Sequence, residues 1–151
     1  MIIWKTGNIF DSNCKTLVNT VNCEGVMGKG LALQFKKRYP KMFNKYKIAC
    51  KPGQCRCLEH GGDIWIWNYI DFYTHKKILC FATKEHWYYP SKIEWIERGL
   101  QRFIEDYKNW NIENIAWPKL GCTNGGLKWE DIKPLMIKYL EPLPILCEIY
   151  E

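Results

Sequence analysis

With 151 residues the chain has the size of one domain, and an apolar share of 47% beside 25% charged residues supports a substantial core and excludes a disordered polymer. The 22 Lys and Arg outnumber the 16 Asp and Glu to give a formal charge of +6, an excess that favours polyanionic ligands without demanding them. No apolar run reaches the ~18 residues that cross a bilayer, and Met1 leads into strand-like Ile2, Ile3 and Trp4 rather than an export signal, so the expected setting is the cytoplasm, with no membrane partner.

Short β-branched or aromatic runs predict strands over Ile2 to Lys5 and Thr16 to Asn22. A helix is expected to begin near Gly28 or Gly30, run through Leu31, Leu33, Phe35 and Lys37, and end at Pro40. The stretch from Lys51 to Gly62, punctuated by Pro52, Gly53, Gly61 and Gly62, reads as an irregular surface excursion. Strands follow over Ile64 to Tyr69 and Lys77 to Thr83. The clearest helix spans Ser91 to Trp110, where Ile93, Ile96, Leu100, Phe103, Ile104 and Tyr107 recur at spacings of three and four; Ser91 and Glu94 form a capping box at its start. A strand over Ile115 to Trp117 comes next. A helix after Leu127 turns Trp129, Ile132, Leu135, Met136 and Tyr139 inward and stops before Pro142, and Ile145 to Tyr150 forms the last strand. Strands separated by such helices imply an α/β fold, a three-layer α/β/α sandwich, and the lack of repeats or linkers makes residues 1–151 one domain.

Two segments carry the chemistry. Val18 to Gly30 is a strand, a Gly-rich turn and a helix start. That layout suits an anion, because glycines let backbone N–H groups approach it and the helix N-terminus adds unpaired donors and partial positive charge; a tight turn with no ligand is the plain alternative. Its spacing fits neither the Walker lysine motif nor the Rossmann fingerprint. Pro118 to Leu127, with Gly121, Gly125 and Gly126, repeats the strand–loop–helix layout. Two such loops at strand ends can face each other across the crevice where open α/β sheets bind ligands, and together they suggest a diphosphate.

The stretch Gly7-Asn8-Ile9-Phe10, the run Val18 to Phe35, the sequence Thr83-Lys84-Glu85-His86-Trp87 and the segment Pro118 to Trp129 resemble the macrodomain family. Within it, Asn19-Thr20-Val21-Asn22 followed by Val26-Met27-Gly28-Lys29-Gly30 is similar to the DNA ADP-ribosyl glycohydrolase (DarG-like) antitoxin branch, itself similar to terminal ADP-ribose glycohydrolase. The resemblance implies a mixed central sheet with ADP-ribose lying across the strand ends. Asn8 and Ile9 would lie beside the adenine and Asn22 near the distal ribose. Val26, Met27, Gly28, Lys29 and Gly30 on one loop, with Gly121, Cys122, Thr123, Asn124, Gly125 and Gly126 on the other, would wrap the diphosphate and distal ribose.

The resemblance also implies that Lys84 is catalytic, attacking or polarising the anomeric carbon of the distal ribose. Such a lysine needs a lowered pKa, from partial burial or nearby cations. In terminal ADP-ribose glycohydrolase the second loop carries an aspartate that helps release product; the matching position here is Gly125. Glu85 and His86 are neighbouring proton-transfer candidates, of which only His86 shares the side of Lys84 if the strand continues. The implied activity is removal of ADP-ribose from a modified nucleic-acid base, DNA above all, with a toxin-type ADP-ribosyltransferase as counterpart, no cofactor and a monomeric state. ADP-ribose 1″-phosphate phosphatase, protein ADP-ribosyl ester hydrolase and non-catalytic ADP-ribose reader are the alternatives.

Other residues leave two readings open. Trp87, Tyr88 and Tyr89 either stack on a nucleobase or cap the core. Lys36, Lys37, Arg38 and Lys41 either track a phosphate backbone or form the solvated end of a helix. Cys50, Cys55, Cys57 and His60 lack the paired-knuckle spacing of a zinc site, so no metal is expected. The eight scattered cysteines read as thiols of a reducing compartment, and Cys23 and Cys122 lack a His in a context that would make either a nucleophile.

Overall fold

The computed structural model describes residues 1–53, 56–70 and 75–151. Among them six strands form one mixed sheet: β1 (Ile2–Lys5), β2 (Thr16–Val21), β3 (Ile64–Ile70), β4 (His75–Ala82), β5 (Asn114–Trp117) and β6 (Leu146–Tyr150). Their spatial order is β1-β6-β5-β2-β4-β3, with every neighbouring pair parallel except β3, which returns antiparallel along β4. Helices α1 (Gly30–Arg38) and α2 (Pro40–Cys50) cover one face; α3 (Ile93–Asp106) and α4 (Trp129–Leu140) cover the other.

The period-two alternation of the central strands separates two cores. On β4, Leu79 and Phe81 point toward α3 and α4, whereas Ile78, Cys80 and Ala82 point toward α1 and α2. On β5 the same division puts Ile115 and Trp117 on one side and Ala116 on the other. The α3 stripe of Ile96, Leu100 and Phe103 is fully buried, and Gly99 lets the Phe81 ring lie against the helix backbone where a Cβ would collide with it.

The expected α/β/α sandwich is thus present, with strand limits within one or two residues of expectation, but three local expectations are corrected. The first helix does end before Pro40, at Arg38, but Pro40 is not only a terminator: it sits at the first position of a further helix, α2, where its missing N–H needs no partner. The Ser91–Glu94 capping box does not form. Helix α3 starts at Ile93 with Lys92 at its N-cap and no side-chain cap, Ser91 Oγ is buried without a partner among the described residues, and Ile93 is exposed. The Lys51 to Gly62 stretch is not wholly on the surface either. Leu58 is buried in the α1–α2 core, the N–H groups of Cys57 and Leu58 donate to the Ala49 carbonyl, and Asp63 accepts from the N–H groups of Glu59 and His60.

Candidate active site

Five parallel strands end on one edge of the sheet, which collects their outgoing segments at a single crevice. Segments 7–9, 20–34, 83–87 and 118–125, with Tyr150, supply walls to a cavity of about 770 Å³, within the ~300–1,000 Å³ range of small-molecule sites.

The first loop, residues 22–30, is braced by one side chain. Asn22 donates through Nδ2 to the Val26 carbonyl at 2.9 Å, and its Oδ1 accepts from the Glu24 N–H at 3.0 Å and from the Tyr46 hydroxyl at 2.9 Å. Tyr46 also reaches the Asn22 carbonyl at 2.8 Å, so α2 anchors the loop from below. Asn22 therefore lines the cavity while its amide is engaged in holding the loop. Val26, Gly28 and Lys29 line the cavity as expected from sequence. Met27 does not: its side chain is buried in the core, where its sulfur accepts from Asn19 Nδ2 at 3.7 Å.

The second loop, residues 118–127, is held by its own backbone. Leu127 N–H donates to the Gly121 carbonyl at 3.0 Å and Ser91 N–H to the Gly125 carbonyl at 2.9 Å. Gly121, Cys122, Thr123, Asn124 and Gly125 line the cavity, whereas Gly126 does not. A Cβ on Gly125 would overlap the Gly121 carbonyl and Ser91 Oγ, so this position has no room for the aspartate of the similar glycohydrolase. The loops meet where the Asn124 amide lies over Gly30; a Cβ there would come within 2.6 Å of Asn124 Nδ2. Gly30 itself, at φ +60°, starts α1 and does not line the cavity.

Lys84 follows β4 on the cavity wall, with its backbone N–H directed at the Val21 carbonyl at 3.4 Å. Its Nζ donates to the Trp87 carbonyl at 3.1 Å. Partial burial, and then the Lys29 cation, lower its pKa below the ordinary lysine value. Glu85 and His86 do not join it at the cavity. Glu85 accepts the Gly61 N–H at 3.0 Å, and His86 pairs through Nδ1 with Glu24. Trp87 lines the wall; Tyr88 lies outside it.

Asn8 and Ile9 lie at the cavity. Asn8 Oδ1 accepts the Phe10 N–H at 3.0 Å and caps the short 3₁₀ turn Ile9–Asp11, while Ile9 is buried beneath. Sequence reading overlooked Thr20, Gln34, Lys119 and Tyr150 on the same walls. Two signals could have found three of them: Thr20 and Tyr150 stand at the ends of strands that point to the crevice, and Gln34 follows Gly30 by one helical turn. The Tyr150 hydroxyl donates to Glu148 Oε2 at 3.2 Å, which orients its ring.

Burial raises the Cys122 thiol and pushes that of Cys23 up to about 12, so neither loop supplies a ready thiolate. Cys55 of the Cys/His set lies outside the described residues. Among the described residues no group of three His, Cys, Asp or Glu side chains could hold a metal ion, and no helix is long and apolar enough to cross a membrane.

Residues 18–136, which include both loops and Lys84, match the Macro domain family. The chain belongs to this family. The macro domain is 42% identical over 144 residues, 95% of its length, to a DNA ADP-ribosyl glycohydrolase of Mycobacterium tuberculosis, and 38% identical over 95% to one of Thermus aquaticus. It spans about two fifths of the length of these curated relatives, 40% and 39% respectively. Its fold superposes on the macrodomain of Mycobacterium tuberculosis DarG with a TM-score of 0.91, covering 99% of this chain and 97% of that one. Against Thermosipho africanus DarTG, solved in complex with ADP-ribose, the TM-score is 0.90 at 35% identity, covering 99% of this chain and 41% of that one.

Proposed function

We propose that this macro domain hydrolyses the glycosidic bond between ADP-ribose and a nucleic-acid base, DNA above all, as the names of its relatives suggest. The observation that carries this reading is an amine of depressed pKa, Lys84, on the wall of a cavity flanked by two glycine loops at the strand ends. The adenine lies toward Asn8 and Ile9, the diphosphate between the loops, and the distal ribose toward Lys84. A neutral amine at that position acts on the anomeric carbon as the base departs, and water completes hydrolysis, since Gly125 leaves no acid at the matching position of the second loop. The fusion of transferase and glycohydrolase named in Thermosipho africanus supports a toxin-type ADP-ribosyltransferase as counterpart. The proposed setting is the cytoplasm and the proposed state a monomer.

Lys84→Ala tests the reading by release of ADP-ribose from a modified oligonucleotide. The expected loss is on the order of 10²–10⁴-fold, the range for removing a positioned catalytic group. Unchanged turnover in a folded variant would reject Lys84 as the catalytic residue. Turnover of ADP-ribose 1″-phosphate or protein esters in preference to the oligonucleotide would assign a different substrate, and ADP-ribose binding with turnover of none of the three would make the domain a reader.

A further inference from the structure

With the anomeric carbon at Lys84, the sheet itself says where the other end of the ligand falls. Lys84 follows β4 and Asn8 follows β1, and the strand order sets them four strand spacings apart, about 19 Å at ~4.8 Å per spacing. ADP-ribose carries its base and its anomeric carbon at opposite ends, so on that reading the base falls at the Asn8 turn.

Asn8 has two polar side-chain atoms, and one is already engaged. Its Oδ1 accepts the Phe10 N–H at 3.0 Å as the cap of the 3₁₀ turn Ile9–Asp11. A backbone N–H only donates, so the atom that meets it is the amide oxygen. The atom left for a ligand is Nδ2, a pure donor with no partner among the described residues. The Ile9 N–H, at the first position of the turn, is a donor as well. On the same walls the Tyr150 hydroxyl is committed to the buried Glu148 carboxylate, which also accepts from Ser12 Oγ at 2.6 Å.

Donors of this kind do not read the feature that marks adenine. Adenine carries an amino donor at C6 beside its ring acceptors, whereas a 6-oxopurine carries an acceptor oxygen there. Nδ2 gains nothing from the amino group, but it can donate to a ring nitrogen of either base or to the 6-oxo oxygen. We propose that Asn8 makes the base end of the cavity indifferent to the 6-amino group, so that it takes the hypoxanthine counterpart of ADP-ribose as readily as ADP-ribose. The inference rests on the ADP-ribose reading of the cavity and deepens it, by naming the residue that sets base selectivity and widening the ligand class to purine diphosphate riboses. A carboxylate at this position would cap the turn with one oxygen and accept from the amino group with the other. Adenine selectivity therefore turns on a single atom.

Calorimetric affinities for ADP-ribose and inosine diphosphate ribose, which share the diphosphate and both riboses, test the assignment. In the unaltered protein the two are expected to agree within about fivefold, the lower limit for reading a base by a matched donor and acceptor. Asn8→Asp keeps the cap, since Asp serves at an N-cap as well as Asn, and replaces the donor by an acceptor. It should move the affinity ratio toward ADP-ribose by about fivefold or more. Taking the ratio cancels the effect of the added charge on the shared diphosphate. Asn8→Ser, which keeps a capping oxygen and has no second polar group, should show no adenine preference either. Gln34 lines the same cavity and its amide can turn a carbonyl to a ligand, so Gln34→Leu is measured beside them and should leave the ratio unchanged. An adenine preference beyond about fivefold in the unaltered protein overturns the proposal, and its loss in Gln34→Leu assigns the readout to Gln34 instead. An unchanged ratio in Asn8→Asp, with the fold intact by thermal unfolding, overturns it too. Both outcomes leave the ADP-ribose reading standing, whereas binding of neither dinucleotide overturns that reading and this one together.

Discussion

The two glycine loops face each other across one cavity, yet they hold their shapes by opposite means. The first depends on side chains, with the Asn22 amide tying Val26 and Glu24 together and Tyr46 supporting it from α2. The second depends on the absence of side chains, since Gly125 is packed against the Gly121 carbonyl and Ser91. A polar brace loosens when an atom is removed; a backbone packed this closely fails when an atom is added. The same contrast extends to charge. Lys29 on the first loop acts on Lys84, whereas Lys119 on the second loop is not among the groups that shift it.

Breaking the second loop should have the largest effect. Gly125→Asp restores the carboxylate of the similar glycohydrolase but overlaps the Gly121 carbonyl, so calorimetry should show weaker ADP-ribose binding, by about 1–3 kcal/mol, rather than faster product release. Improved turnover would show that the loop adapts and that the contrast is wrong. Asn22→Ala attacks the first loop by removal. It takes the side-chain donor from the Val26 carbonyl and the acceptor from the Glu24 N–H, while the Tyr46 hydroxyl keeps the Asn22 main-chain carbonyl, and denaturant titration should show a loss of about 1–2 kcal/mol, with faster hydrogen exchange at the Glu24 amide.

Lys29→Ala sharpens the electrostatic side. The Lys29 cation disfavours the charged form of Lys84, so removing it raises the Lys84 pKa toward the ordinary value. At any pH below that value less amine is neutral, and the rising limb of the pH–rate profile should move to higher pH. Lys119→Ala should leave the limb in place. Ser91→Ala is the smallest test. The hydroxyl makes no cap and has no partner among the described residues, so thermal unfolding should register a change within about 0.5 kcal/mol. A larger loss would mean that Ser91 supports the second loop through its side chain.

What was legible in the sequence was local. The buried runs of β2, β4 and β5 and the apolar stripe of α3 are periodic patterns, and the glycine loops lie directly beside the strands and helices that place them. Helix α2 was hidden because proline before a helix and proline after one look alike in a single sequence; Pro40 does the former. With α2 went Tyr46, whose contact with Asn22 spans 24 positions. The crowding at Gly125 and the influence of Lys29 on Lys84 likewise depend on tertiary placement that no motif spacing encodes.

The pairing of Lys29 and Lys84 ties ligand uptake to proton exchange with the solvent. A diphosphate held near both cations pulls the Lys84 pKa upward and makes binding take up protons, whereas a ribose covering the amine extends the desolvation that is already the larger cause and makes binding release them. The binding enthalpy of ADP-ribose, compared across buffers of different ionisation enthalpy, reads the sign directly. On the proposed role of Lys84, net release means that the ligand itself promotes the deprotonation of the amine.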